Sequence, residues 1–178
     1  TLSDPAVSQF TKQEISKLYK RFQQLDKSRR GFLTVDDMET MHELCLCPLW
    51  KYVLKEVLKD FKVDIDKRNE IKFKYFIRTL WILCDKSSAD LKLETALKIF
   101  DEDDDGTLYA SDLYKTLNIL GLGIQQFSSK QLKEIVTNLI KDNAKENEES
   151  ISFYDFLTIY GEQELLESMT IYLRLSKK

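Results

Sequence analysis

The densest chemistry in this chain lies in twelve consecutive residues, Asp101-Glu102-Asp103-Asp104-Asp105-Gly106-Thr107-Leu108-Tyr109-Ala110-Ser111-Asp112. Counted as loop positions 1 to 12, Asp101, Asp103 and Asp105 stand at positions 1, 3 and 5. Short carboxylates alternating on a tight turn supply the hard oxygens that a calcium or magnesium ion requires. Gly106 at position 6 has the backbone freedom that the turn needs. Thr107 at position 7 offers its carbonyl, Tyr109 at position 9 acts through a water, and Leu108 at position 8 points inward. Position 12 is Asp112, one methylene shorter than the usual glutamate. The shorter arm favours one-oxygen ligation and six-coordination, which weakens calcium and suits magnesium. The expected metal residues are therefore Asp101, Asp103, Asp105, Thr107, Tyr109 and Asp112, holding Ca2+ or Mg2+.

A loop of this kind works only if helices hold both ends. Leu93, Ala96, Leu97 and Phe100 recur at helical spacing before it, and Leu113, Leu117 and Leu120 recur after it. Acids at positions 1, 3 and 5, glycine at 6, an apolar residue at 8 and two flanking helical stripes form an EF-hand signature.

The same unit recurs three times in altered form. The first copy follows the stripe Ile15, Leu18, Phe22, Leu25 and runs from Asp26 to Asp37. It keeps Gly31 and inward Leu33, but Arg30 at position 5 puts a cation where a metal would sit. The second follows Leu49, Val53, Leu54, Val57, Leu58 and Phe61, with Asp64, Asp66, Arg68 and Asn69 in a lengthened loop, Ile71 inward and Tyr75 at position 12. Tyrosine cannot replace a bidentate carboxylate, so this loop reads as a scaffold turn. The fourth follows Ile135, Val136, Leu139 and Ile140; it has Ala144 at position 1, Glu146, Glu148 and Glu149 at 3, 5 and 6, Ile151 inward and Asp155 at 12. Losing the first aspartate and the turn glycine predicts weak or absent binding there. The inward residues Leu33, Ile71, Leu108 and Ile151 lie 38, 37 and 43 residues apart. The expected fold is all-α: four EF-hand helix-loop-helix units paired into two lobes, with short two-stranded β links between paired loops. Thr11-x-x-Glu14 and Ser128-x-x-Gln131 mark helix starts, and Gly121 marks a stop.

Composition excludes other classes. The 178 residues are 43% hydrophobic and 32% charged, a folded chain's balance. Five Gly and two Pro are too few for an all-β fold and leave no phosphate cradle. His42 is the single histidine, and no HExxH, GxSxG or Walker loop is present, so an enzyme is not expected. Cys45, Cys47 and Cys84 read as reduced thiols of a cytoplasmic protein. No apolar run reaches the ~20 residues of a membrane span. Membrane association is expected only through a partner or an N-terminal acyl group, because the sequence starts at Thr1. Residues 1–89 carry a charge of +4 and residues 90–178 carry −7, giving −3 in all. No nucleic-acid partner is expected, although Lys67, Arg68, Lys72 and Lys74 form a small basic patch.

Several segments resemble the calcineurin B branch of EF-hand proteins, which includes the phosphatase regulatory subunit, the calcineurin B homologous proteins and the calcium- and integrin-binding proteins. They are Phe10 to Ile15 with Leu18-Tyr19-Lys20-Arg21-Phe22, Glu43-Leu44 with Pro48-Leu49, Phe73 to Leu80, Gln131 to Val136 and Ile151-Ser152-Phe153. The resemblance spans about residues 10–175 and departs from the branch at three of the four loops. It implies an N-terminal arm (1–9), an N-terminal lobe with two degenerate loops (10–86), a C-terminal lobe (87–161) and a tail (162–178). It also implies an apolar groove that clamps an amphipathic helix of a larger protein: a phosphatase catalytic subunit, an ion exchanger or a large assembly. Phe61, Phe76, Ile77, Leu80 and Trp81 are the expected groove residues, and Trp81 and Trp50 are the best candidates for groove or rim. The apolar tail from Leu165 to Leu173 either covers that groove or packs beside a bound helix. The leading expectation is a largely constitutive, non-enzymatic subunit, its N-terminal lobe locked in one metal-free form by Arg30 and Arg68. The alternative is a reversible calcium sensor.

Overall fold

A computed structural model describes residues 9–63, 70–120, 127–144, 149–173 and 175. Asp64, Asp66, Lys67, Arg68 and Asn69 of the second loop, Gly121, Glu146 and Glu148 of the fourth loop, and residues 1–8 of the arm lie outside the described residues.

Contacts divide the chain into one unit of residues 1–92 with 169–178 and another of residues 93–168. The sequence puts its boundaries at 86/87 and 161/162; the contacts put the first at 92/93 and return the last ten residues to the first unit.

The first unit begins with α1 (Lys12–Leu25), whose Thr11 accepts the Glu14 N–H while Glu14 accepts the Thr11 N–H. This reciprocal cap satisfies two donors that a helix start leaves free. Loop 26–37 leads into α2 (Val35–Glu39), then α3 (His42–Cys45) and α4 (Trp50–Asp60). The second loop returns the chain to α5 (Phe73–Leu83). Leu33 and Ile71 join the two loops as an isolated antiparallel bridge, exchanging N–H···O bonds of 2.9 and 2.7 Å. Their side chains are fully buried, as are Leu18, Met38, Leu44, Leu49, Val53, Phe76, Ile77 and Leu80. Each such side chain contributes roughly 1.5–3 kcal/mol by leaving water. Trp50 belongs to this core, at 5% exposure.

The end of the chain also belongs to this unit. Ile171 forms a parallel bridge with Cys84; its N–H donates to the Leu83 carbonyl at 2.8 Å, and its carbonyl accepts the Asp85 N–H. Met169, Ile171 and Leu175 are buried, and Lys17 donates to the Leu175 carbonyl.

α6 (Ala89–Phe100) leads into the second unit's first loop. Its buried residues are Lys92, Thr95, Ala96, Ile99 and Phe100. The sequence stripe through Leu93 and Leu97 is therefore rotated by about one residue; those two leucines are only half-buried. The second unit continues with β1 (Thr107–Tyr109), α7 (Ala110–Ile119), α8 (Ser129–Asn143), β2 (Ser150–Ser152), α9 (Phe153–Tyr160) and α10 (Glu162–Ser168). β1 and β2 are antiparallel, in the register Thr107–Ser152, Leu108–Ile151 and Tyr109–Ser150. In both units, then, the apolar position 8 residues pair loop to loop. Phe100 and Phe156 meet edge to face at 5.9 Å, and both are fully buried. No helix among the described residues is long and apolar enough to cross a membrane.

Candidate metal centre

The loop after α6 brings three of the expected residues together. Oxygens of Asp101, Asp103 and Asp105 all lie within 4.8 Å of one another. Asp101 is buried, and its two oxygens accept the N–H groups of Asp105 at 3.3 Å and Gly106 at 2.7 Å. Those bonds curl the chain back over the first carboxylate, and the curl needs left-handed backbone at Asp104 (φ 59°) and Gly106 (φ 83°). An aspartate tolerates that conformation better than most side chains, and glycine adopts it freely.

The remaining expected residues have separate tasks. Thr107 donates its N–H and its hydroxyl to Asp105 Oδ1, at 2.8 and 2.7 Å. Tyr109 is partly exposed, and its N–H donates to Asp112 Oδ2 at 3.0 Å. Asp112 is thereby fixed in the first turn of α7 and stands outside the three-carboxylate cluster.

The electrostatics follow from the crowding. Asp103 shares a hydrogen bond with Asp101, is partly desolvated, and faces the charges of Asp105 and Asp101; together these raise its pKa above the usual carboxylate range. Asp105 moves the other way, because the Thr107 hydroxyl and backbone N–H stabilise its anion. Lys115 pairs with Glu102 at 3.0 Å on the exposed side of the loop. A cluster of hard oxygens, one of them pushed towards protonation by its neighbours, can accept a small divalent cation.

Loop 26–37 holds different contents. Arg30 Nη2 lies 2.5 Å from Asp37 Oδ2, and its Nε lies 3.7 Å from Asp26 Oδ1. In the second loop, Tyr75 is buried and its ring meets Phe61 at 5.0 Å, with Lys74 Nζ 4.8 Å from the centre of each ring. In the fourth, Asp155 accepts the Ser152 hydroxyl at 2.6 Å, a helix-start contact for α9.

Of the expected groove residues, Phe76, Ile77 and Leu80 are fully buried in the first unit. Phe76 packs edge to face on Phe22 at 5.5 Å. Phe61 and Trp81 are half-buried, and Trp81 meets Phe10 edge to face at 5.4 Å.

Sequence reasoning missed Lys92. Its buried ammonium donates to the Leu83 carbonyl (3.0 Å), the Met169 carbonyl (3.1 Å) and Thr170 Oγ1 (3.1 Å). A signal exists in the spacing: Lys92 stands three and four residues before Thr95 and Ala96, in phase with the buried face. Residue type hides it, because lysine is almost never fully buried.

No protein-family model matches the chain. Among curated proteins, it is 36% identical over 160 residues to the type 1 calcineurin B protein of Dictyostelium discoideum, an alignment covering 90% of this chain and 84% of that protein. It is 34% identical over 164 residues to the calcineurin B protein of Naegleria gruberi, covering 92% and 88%. It is 30% identical over 162 residues to the calcineurin B protein of Candida glabrata, covering 91% and 88%.

Proposed function

Because the chain belongs to the calcineurin B branch of EF-hand proteins, we propose that it is a non-enzymatic regulatory subunit that grips an amphipathic helix of a larger protein. A phosphatase catalytic subunit is the first candidate partner, as the names of the relatives suggest; an ion exchanger or another large assembly is the second. The observation that carries this reading is the contrast between two loops of one repeat. Loop 101–112 gathers Asp101, Asp103 and Asp105 within 4.8 Å, whereas in loop 26–37 the exposed Arg30 side chain pairs with Asp37 and Asp26.

Calcium or magnesium, when bound, links the ends of α6 and α7 by drawing hard oxygens inward. Asp101, Asp103 and Asp105 would hold it, with the Thr107 carbonyl, Asp112 and a water on Tyr109 completing the shell. Among the described residues only this loop gathers three carboxylates, so with at most one or two working Ca2+ or Mg2+ sites the binding of the partner is largely constitutive. Phe61 and Trp81 retain exposed surface and make first contact with the partner helix; Phe76, Ile77 and Leu80 belong to the groove once a helix displaces their present neighbours. A reversible sensor is the second reading. It rests on the same gathered carboxylates of loop 101–112, which an ion entering and leaving would bridge and release.

The test is capture of partners by the tagged full chain in calcium and in chelator, followed by mass spectrometry. A phosphatase catalytic subunit held equally in both buffers supports the constitutive subunit. A partner held only in calcium, and lost on Asp101→Ala, selects the sensor. Catalytic activity of the purified chain would overturn both.

A further inference from the structure

Loops 26–37 and 101–112 share one backbone plan. At position 1, Asp26 accepts the N–H groups of Arg30 at 2.9 Å and Gly31 at 2.7 Å, as Asp101 does from Asp105 and Gly106. Positions 4 and 6 are left-handed in both, with φ of 53° at Arg29 and 82° at Gly31 against 59° at Asp104 and 83° at Gly106. At position 12, Asp37 accepts the Thr34 N–H at 2.8 Å, as Asp112 accepts that of Tyr109 at 3.0 Å. At position 8, Leu33 and Leu108 each pair with the neighbouring loop.

The interiors differ at positions 3 and 5, where loop 26–37 has Ser28 and Arg30 and loop 101–112 has Asp103 and Asp105. In loop 101–112, position 5 is an aspartate, and three carboxylates converge. In loop 26–37, position 5 is Arg30, whose guanidinium reaches Asp37 at 2.5 Å and Asp26 at 3.7 Å and lies 5.1 Å from the centre of the Phe32 ring. Asp26 caps the end of α1, and Asp37 stands in the first turn of α2. The guanidinium thus joins positions 1 and 12, and with them the outgoing end of one helix and the incoming end of the next. Those are the positions that a bound ion joins in a working loop.

We infer that Arg30 is a tethered cation that takes the place of the metal and holds loop 26–37 permanently in its cation-filled form. This loop is filled, not slack. A guanidinium stays charged at every physiological pH, and its tether gives it an effective concentration that free ions in a cell do not match. A divalent ion could enter only by expelling a like charge. The shape of loop 26–37 is therefore independent of calcium and magnesium, whatever fills loop 101–112. An isolated surface ion pair would contribute little. Arg30 differs because two carboxylates and an aromatic face hold it at once.

Amide hydrogen exchange on the full chain reads this directly, since the Leu33 and Ile71 N–H groups bond across the two loops. In the unaltered chain, both amides should exchange equally in calcium and in chelator. Arg30→Gln, which keeps the arm but removes the charge, should speed exchange at Leu33 and Ile71 by about tenfold or more, with Val57 and Leu58 in α4 unchanged. Arg30→Lys should recover part of the protection. Two results would overturn the inference: unchanged exchange in Arg30→Gln, or protection at Leu33 that rises with calcium in the unaltered chain. Loss of protection spread equally over α4 would also overturn it, because that describes a general packing role. Leu108 and Ile151 report the other loop separately, so failure of the metal reading there is distinguishable from failure here.

Discussion

Replacing Lys92 by Met tests how the end of the chain is fastened to the first unit. The stem volume is nearly kept, and only the ammonium is removed. In the structure that group gives three hydrogen bonds, to the carbonyls of Leu83 and Met169 and to Thr170 Oγ1. Leu83 would not be orphaned, because its carbonyl also accepts the Ile171 N–H at 2.8 Å. The loss falls chiefly on the Met169 carbonyl. A hydrogen bond from a charged group contributes about 1.5–3 kcal/mol net, and three would give a large sum. Burial works against that sum: it lowers the Lys92 pKa below its ordinary value, the nearby thiols and Asp85 offsetting only part of the effect. We therefore expect about one such bond's worth to survive, roughly 2 kcal/mol of docking free energy for residues 169–171. At 25 °C that is about a thirtyfold change in a local opening equilibrium.

The assay is amide exchange at Ile171 and Asp85, whose N–H groups form the bridge, together with chymotryptic cleavage at Tyr172, which is 72% exposed. Lys92→Met should raise exchange at both amides about thirtyfold and speed cleavage, while the α4 amides stay protected. The pH dependence has a definite sign. A lysine with a depressed folded pKa binds fewer protons when folded than when unfolded. Stability should therefore rise with pH from the folded pKa towards the unfolded value near 10.5, and the rise should vanish in Lys92→Met. Unchanged or slower exchange at Ile171 would refute the reasoning. It would mean that the buried charge costs more than its bonds return, as it does in some buried ion pairs.

Three further outcomes follow from the same geometry. Phe100→Ala removes a fully buried ring that directly precedes loop 101–112 and packs on Phe156; it should cost about 3–5 kcal/mol in denaturant unfolding of the second unit and abolish metal-dependent protection at Leu108. The pKa values of Glu14 and Glu43 are held low, first by the hydrogen bonds from Lys86 and Arg21 respectively; their stabilisation is complete above the ordinary carboxylate range and lost as pH falls through the lowered values, so Arg21→Gln should flatten the acid limb of a stability–pH curve below about pH 4. Burial pushes the Cys47 thiol up to about 11 and raises that of Cys84, whereas Cys45 is exposed; a thiol reagent at pH 8 should therefore label Cys45 at once and the other two only on unfolding.

What is legible in the sequence is whatever depends on local spacing. The loop residues Asp101, Asp103 and Asp105, the left-handed turns at Gly31 and Gly106, and the pairing of Leu33 with Ile71 and Leu108 with Ile151 all follow from rules that act within a dozen residues or repeat at a fixed period. Arg30 can be read as an intruding cation, but its reach to both Asp26 and Asp37 requires coordinates, because a long side chain's rotamer is not written in its position. Residue type hides the burial of Lys92, although its place on α6 already puts it inward. The return of residues 169–175 to the first unit cannot be read locally at all. It depends on Leu83, Cys84 and Asp85 presenting backbone groups beyond the end of α5, and on Lys92 supplying a donor one helical turn into α6. Local pattern identifies the paired loops. Which chain end closes over the first unit is settled by a buried cation some eighty residues away, which links the tail's packing to a residue that the metal-loop signature never includes.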